Sequence, residues 1–248
     1  MSRSAVDGPW RRARAPEQKA ARRREIQRAA EGLFAERGFE PVGLNEIARR
    51  SGMAKANLYR YFESREAIFL AIYESDVAEW VQAVGERLSS ERCPLERGPE
   101  GEGRRGGEQL SQVLAQTLSA RPRLLSLISS AAVVLERNTS TESLVAHKCR
   151  ILGLRSNLVS SLRRATPELD ARETEEAMVV MHGLIAGLWP MSRLSRPMEA
   201  ALATPGLGAL RVDFERALQK SLRRVLGDCC VPEAVSRVPA RGDEARGA

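Results

Sequence analysis

Apolar residues recur every three or four positions along most of this chain, the spacing that turns one face of a helix toward a core. From Glu17 to about Arg37, residues Ile26, Ala29, Ala30, Leu33 and Phe34 share a face, and Gly38 supplies a C-terminal stop. A short helix is predicted from about Leu44 to Ser51, with Gly43 at its start and Glu46 at its third position, half of a capping box. Gly52 turns the chain, and a second short helix follows from about Lys55 to Tyr61. Ser64 then caps a long helix that starts near Arg65 and carries Ile68, Ile72, Val77, Trp80, Val81 and Val84 inward. The pattern breaks in ERCPLERGPEGEGRRGGE, whose Gly, Pro and charge cannot bury a core face, so a flexible loop is expected over about 91–107. Helical spacing resumes near 108–120, 122–137, 141–165, 170–192 and 208–227, punctuated by Pro122, Asn138, Pro167, Pro190, Pro197 and Pro205.

No strand alternation of useful length occurs, so the expected fold is all-α. It divides into a basic arm over 1–16 without periodicity and expected to be disordered, a three-helix N-terminal domain over 17–64, a helical domain over 65–227, and a disordered tail over 228–248.

Composition narrows the class. The chain is 43% hydrophobic but only 4% aromatic, and its Ala, Leu, Arg and Glu favour helix over strand. No apolar run approaches the roughly 20 residues of a membrane helix. Residues Met1–Pro16 have Arg without a following apolar stretch, unlike a secretory signal, so a cytoplasmic protein with no membrane partner is expected. Cys93, Cys149, Cys229 and Cys230 show no metal-ligand spacing; buried or idle thiols, or a redox switch at Cys229 or Cys230, are the readings they leave.

Charge placement changes the picture more. Residues 1–65 hold 15 Lys+Arg against 8 Asp+Glu, a net of +7, and residues 66–248 hold 24 of each sign. The whole formal excess therefore lies in the first quarter of the chain. That is an electrostatic footprint for phosphates, suited on its own to DNA, RNA or an anionic membrane.

The residues LNEIARRSGMAKANLYRYF, Leu44 to Phe62, make that footprint specific. Two short helices joined by a tight Gly turn form a helix-turn-helix. Ile47, Ala48 and Leu58 supply the small apolar contacts that lock one helix across the other, and Gly52 can take the positive φ of the turn. The second helix then exposes Lys55, Ala56, Asn57, Tyr59, Arg60 and Tyr61. In the major groove Asn pairs with adenine and Arg with guanine, whereas Lys and Tyr more often hold phosphates. Arg22, Arg23 and Arg24 open the preceding helix region as either a solvated face or phosphate contacts. Arg11, Arg12 and Arg14 are candidates for the minor groove.

Residues Glu25 to Phe69 resemble the N-terminal domain of the TetR/AcrR family. A first helix ends in AERGF, EIARRSGMAKANLYRYF follows, and then ESREAIF, so spacing matches across three elements. The resemblance implies a three-helix DNA-binding domain joined by a long fourth helix to a helical ligand-binding and dimerising domain. It places Lys55, Asn57, Tyr59 and Tyr61 on DNA, and Arg65 on a phosphate at the start of the fourth helix. Gly43, Leu44 and Arg22 complete the expected DNA-binding set. The chain departs from the family at Val42 and Gly43, where Thr is common, at Ala54, where Ser is common, and at Tyr61, where His is common.

The remaining half resembles known families only loosely. Ala177, Met181, Leu184, Ile185 and Leu188 make one apolar face, and Leu207, Leu210, Phe214, Leu218, Leu222 and Val225 another. The resemblance implies that the last two long helices pair with their mates. Leu184, Leu188, Leu210, Phe214, Leu218 and Leu222 are therefore the expected dimer residues, with packing inside one subunit as the alternative. A two-fold dimer would suit a palindromic operator in double-stranded DNA. Leu125, Ile128, Met178, Met181, His182 and Trp189 are the expected lining of an effector pocket beside Gly183 and Gly187; ordinary core packing is the alternative. His147 and His182 have no metal-type partner at i+3 or i+4. No Gly-rich phosphate loop, GxSxG or HExxH is found, so neither an enzyme nor a cofactor is expected.

The sequence thus predicts a homodimeric repressor released from DNA by a small apolar ligand. A regulator answering to a protein partner or to no ligand, an activator, and a basic helical protein indifferent to DNA sequence remain the alternatives.

Overall fold

The computed structural model describes residues 9–90, 102–167 and 169–228, and among these there is no strand. Helix α1 spans Pro9–Arg37, α2 Leu44–Arg50, α3 Lys55–Leu58, α4 Arg65–Ser90 and α5 Glu102–Ser119. Then come α6 Pro122–Ser130, α7 Thr141–Ala165, α8 Ala171–Ser192, α9 Arg196–Leu202 and α10 Phe214–Asp228. No single described helix is long and apolar enough to cross a membrane.

Local chemistry fixes the helix ends. Gly38 takes φ +78° and donates to Phe34 at 2.7 Å, closing α1. Ser64 Oγ accepts the Ala67 N–H at 3.0 Å and so caps α4. Asp170 accepts from Arg172 and Glu173 at 2.8 and 3.0 Å, starting α8. These hydrogen bonds hold the Asp170 carboxyl below its ordinary range.

α4 is the central strut. Ile68, Phe69 and Ile72 pack with Ile26, Ala30, Leu33 and Leu58 of the N-terminal domain, while Trp80, Val81 and Val84 enter the helical half. The rest of that half is α4 against α7, α6 against α8, and α5 against α10, with α10 also meeting α8. Two indole N–H groups tie these layers: Trp80 donates to Thr117 and Trp189 to Ser126, each at 3.0 Å. Across the domains, Arg123 on α6 grips the buried Asp76 of α4 through both carboxylate oxygens, at 2.5 and 2.8 Å, and lies 3.5 Å from Glu31 of α1.

Five expectations need correction. The arm is not disordered up to residue 16, because α1 already begins at Pro9. Pro is well placed at a helix start, where no N–H partner is required, and Trp10–Ala15 continue with good helix formers; only Pro16 breaks a backbone bond. Residues 1–8 lie outside the described residues. The loop expected over 91–107 ends sooner, since α5 starts at Glu102, and 91–101 also lie outside them. The segment 122–137 is not one α-helix: Ala131–Leu135 form a π-helical turn, closed by Glu136 N–H to Ala131 O at 3.0 Å. Within it Ala131 and Leu135 are buried and Val133 faces out.

Pro197 starts α9 instead of breaking the chain, with Ser195 as the cap. Finally, 208–227 is split. Leu207–Leu210 form a 3-10 turn after Gly206 at φ +88°, and Asp213 accepts the Arg216 N–H at 3.1 Å to begin α10 anew. The tail residues 229–248, with Cys229 and Cys230, lie outside the described residues, as does Cys93; Cys149 is an exposed free thiol.

Candidate nucleic-acid interface

The turn between α2 and α3 is built by backbone. Gly52 stands at φ +67°, where an added Cβ would strain the chain. Gly52 N–H bonds Arg49 O at 3.2 Å and Met53 N–H bonds Ala48 O at 2.9 Å. This double bond pattern is a Schellman C-cap, which consumes the last carbonyls of α2 and aims the chain into α3. At the other end of α2, Glu46 accepts the Gly43 N–H at 3.3 Å and pairs with Arg37 at 2.6 Å, both of which hold its carboxyl below its ordinary range.

Ile47, Ala48 and Leu58 are all buried, and Leu58 is the single residue of α3 that is. The helix is therefore pinned by one side chain and presents everything else outward: Lys55, Ala56, Asn57 and then Tyr59 and Arg60 are exposed. Backbone bonds from Arg60, Tyr61 and Phe62 to Asn57 and Leu58 continue the turn past the end of α3. Tyr61 is half-buried against the core, unlike its neighbours. Gly43 and Leu44 are half-buried at the start of α2.

The basic residues divide by what already engages them. Arg22 is exposed and pairs with Glu25 at 2.6 Å. Arg65 lies over the Phe39 ring, 4.2 Å from its centroid, and donates to Glu40 O at 3.3 Å; it is half-buried at the start of α4. Arg23, read from the sequence as a solvated or phosphate-contacting member of its Arg run, reaches furthest. It stacks on Phe62 at 3.9 Å and donates to the Tyr61 carbonyl, fastening α1 to the end of the recognition element. A contact across 38 residues leaves no local signal in an Arg run. Side chains at 11, 12 and 14 lie outside the described residues.

A second set, also missed, joins this domain to α7. Glu63 accepts the Ser140 N–H at 2.9 Å, which lowers its carboxyl pKa. Glu74 receives Arg150 on both oxygens, at 2.5 and 2.8 Å, and His147 Nδ1 at 2.8 Å. Burial pushes the Glu74 carboxyl up, but these hydrogen bonds and the Arg150 charge bring it net below its ordinary range.

The helical half holds the largest change to the expected sites. Phe214, Leu218 and Leu222 are buried inside one chain, because α5 and α8 cover the stripe of α10. They are not free for a mate, and Leu210 lies on the separate 3-10 turn, 68% exposed. An amphipathic stripe shows that a face is covered without showing by what. Leu184 and Leu188 remain half-buried on α8. Of the expected effector lining, Leu125, Ile128, Met178 and Met181 are core, Trp189 is half-buried edge-on to Phe214 at 5.3 Å, and His182 is exposed. Gly183 and Gly187 have open space where a Cβ would stand, so they are not closely packed within the chain.

Two family descriptions match. "Bacterial regulatory proteins, tetR family" covers residues 26–72, and "Tetracyclin repressor-like, C-terminal domain" covers 74–227. An HTH-type transcriptional regulator of Mycobacterium tuberculosis H37Rv is 38% identical over 88 residues, 36% of this chain and 42% of that protein. The HTH-type transcriptional activator FasR of Mycolicibacterium smegmatis is 36% identical over 67 residues, 27% of this chain and 31% of the relative. The chain thus spans less than half the length of these curated relatives. Among solved structures, a TetR transcriptional regulator from Rhodococcus sp. RHA1 superposes with TM-score 0.54 at 18% identity, covering 86% of this chain and 98% of that one. Thermus thermophilus FadR, a TetR-family repressor in complex with lauroyl-CoA, does so with TM-score 0.51 at 21% identity, covering 91% and 100%. At these identities the structures speak for the fold.

Proposed function

Because this chain belongs to the TetR family of bacterial regulatory proteins, we propose that it is a sequence-specific DNA-binding regulator of transcription. The observation that carries the reading is α3. This four-residue helix buries only Leu58 and turns Lys55, Ala56 and Asn57 to solvent directly after a Schellman turn, and Tyr59 and Arg60 in the turn just past its end are exposed as well. Asn57 and Arg60 are the base-reading candidates, and Lys55, Tyr59, Arg22 and Arg65 the phosphate contacts. Tyr61, Gly43 and Leu44, all half-buried, complete the proposed set. A gel-shift titration against DNA flanking the gene tests this. One fragment is to be retained under a large excess of unrelated duplex, and retention of every fragment alike would refute it.

The assembly we propose is a homodimer through the outward face of α8. Val179, Val180 and Met191 are exposed there beside Gly183 and Gly187, and Leu184 and Leu188 border them. The outward positions of α10 are instead charged: Glu215, Arg216, Lys220, Arg223 and Arg224. A two-fold dimer so formed fits a palindromic operator. Repression relieved by an apolar effector is the regulatory reading, motivated by a separate helical half that α4 connects to the DNA-binding helices. Activation is the second reading, favoured by the relative named as an activator. A reporter fused to the retained fragment separates the two by the sign of the change when the gene is deleted.

A further inference from the structure

A cleft of about 290 Å³ opens where the end of α3 and the start of α4 face α1 and α7. Its walls include Arg23, Arg60 and Arg150 against Glu63 and Glu74, so the formal lining charge is +1 with His147 neutral. The two carboxylates are already spoken for. Glu74 uses both oxygens on Arg150 and His147, and Glu63 accepts from Ser140. The donors are not used up. A guanidinium carries five N–H groups; Arg23 spends one on the Tyr61 carbonyl, and Arg150 two on Glu74. Arg23 and Arg150 therefore keep unspent N–H donors at a space whose lining carries net positive charge.

We propose that this cleft is an effector site for a small anion with a carboxylate or phosphate headgroup, held between Arg23 and Arg150. Burial depresses the Arg23 guanidinium and the Arg150 charge adds to the effect, against the opposing pull of the Glu74 carboxylate; a second anion beside Arg23 acts in the same direction as Glu74 and offsets the repulsion from Arg150. The remaining wall is mixed, with Ala67, Ala71 and Ala146 beside the hydroxyls of Thr139 and Ser143, suited to a compact, partly polar organic body attached to the headgroup. At about 290 Å³ the volume lies at the lower limit of ordinary ligand pockets, roughly 300–1,000 Å³, which admits a small metabolite. His147, also in the wall, has a buried Nε2 without a hydrogen-bond partner.

The site differs from the expected effector pocket between α6 and α8, whose residues line none of this cleft. It also touches the DNA-reading element directly. Tyr59, Arg60 and Tyr61 are part of the wall, and the Arg23 bond to the Tyr61 carbonyl fastens the end of α3. An anion bridging Arg23 to Arg150 draws the Arg23 guanidinium toward α7 and so shifts it relative to the Tyr61 carbonyl, loosening this end, and occupancy lowers DNA affinity. By linkage, bound DNA lowers anion affinity by the same factor. This regulatory consequence rests on the DNA-binding reading; the site itself does not.

The test begins with the full chain in the absence of DNA. Side-chain Nε–Hε signals of Arg23 and Arg150 are followed by NMR while inorganic phosphate, or separately benzoate, replaces chloride at constant ionic strength. Saturable shifts of both signals are expected, and the stronger probe identifies the headgroup. Arg23→Gln, which keeps the stem over Phe62, should weaken binding about tenfold or more, as loss of a charge-assisted bidentate contact does. Arg150→Lys, which keeps a cation beside Glu74, should weaken it as well. Arg172→Gln, on the exposed face of α8, should not. Shifts that never saturate, or equal affinity in Arg23→Gln and wild type, would overturn the site. If neither probe binds while Arg23→Gln flattens the salt dependence of DNA binding, Arg23 is a DNA contact and the proposal fails. The better probe is then titrated into the DNA complex. Unchanged DNA affinity at saturation would overturn the effector role, whereas absence of any specific DNA complex would count against the DNA-binding reading alone.

Discussion

Replacing Arg123 with Met should cost this protein about 3 kcal/mol, and the geometry says why. The Asp76 side chain is only 7% exposed, and its two oxygens are held by Arg123 at 2.5 and 2.8 Å. Met keeps most of the aliphatic stem but leaves a buried carboxylate with neither its cation nor its donors. Removing one partner of a buried pair costs roughly 3–5 kcal/mol. Arg123 is itself 34% exposed, so water reaches the vacated end and the lower figure applies. In a chain of this size each kcal/mol moves Tm by about 2–4 °C, so a fall of roughly 6–12 °C is expected in calorimetry at pH 7. Protein concentration must be held fixed, because self-association shifts apparent stability. The double variant Asp76→Leu with Arg123→Met removes both charges and should recover to within about 1 kcal/mol of wild type. A single variant within about 0.5 kcal/mol of wild type, or a double variant as unstable as the single one, would refute the reasoning.

Further outcomes follow from other parts of the structure. Leu58→Ala should cost about 2–5 kcal/mol in urea unfolding, since α3 has no other buried anchor. Lys55→Ala should reduce the salt slope of DNA binding by about one unit for every sequence, whereas Asn57→Ala should relax preference at one base position; competition titrations at several salt concentrations separate them. Glu74 has a folded pKa below its ordinary 4.5, so its stabilisation is complete above that value and is lost as pH falls through the lower, folded one. Glu74→Gln should accordingly flatten the decline of Tm below about pH 4.5. Gly187→Glu on the outer face of α8 should shift sedimentation from dimer to monomer, and an unchanged dimer would place the interface elsewhere.

What the sequence could reveal followed the range of the physics. Leu44–Phe62 was readable because a turn, a cap and a helical face are local: Gly52 at positive φ, Glu46 on Gly43 and buried Leu58 all stand where spacing put them. α9 was missed and the start of α10 misread for an equally local reason. Pro197 and Asp213 both start helices, and only the backbone shows whether a proline opens a helix or stops one. The covering of Phe214, Leu218 and Leu222 was not legible, because their stripe fits a neighbour in the same chain as well as one in another. Nor was the cleft, whose contacts join residues 38 to 77 positions apart: Arg23 with Tyr61, Glu74 with His147 and Arg150, Glu63 with Ser140. No periodicity encodes such pairings.

Sequence-specific DNA recognition through α3 is tested most directly by selecting the purified full chain against a random duplex library. Repeated rounds should converge on one motif with two-fold symmetric half-sites about one helical turn, or a multiple of it, apart. Asn57→Ala should lose its base preference at one matched position in each half-site. Convergence on no motif, or the same motif recovered unchanged by Asn57→Ala and Arg60→Ala, would contradict the assignment of base reading to α3 and the turn that follows it.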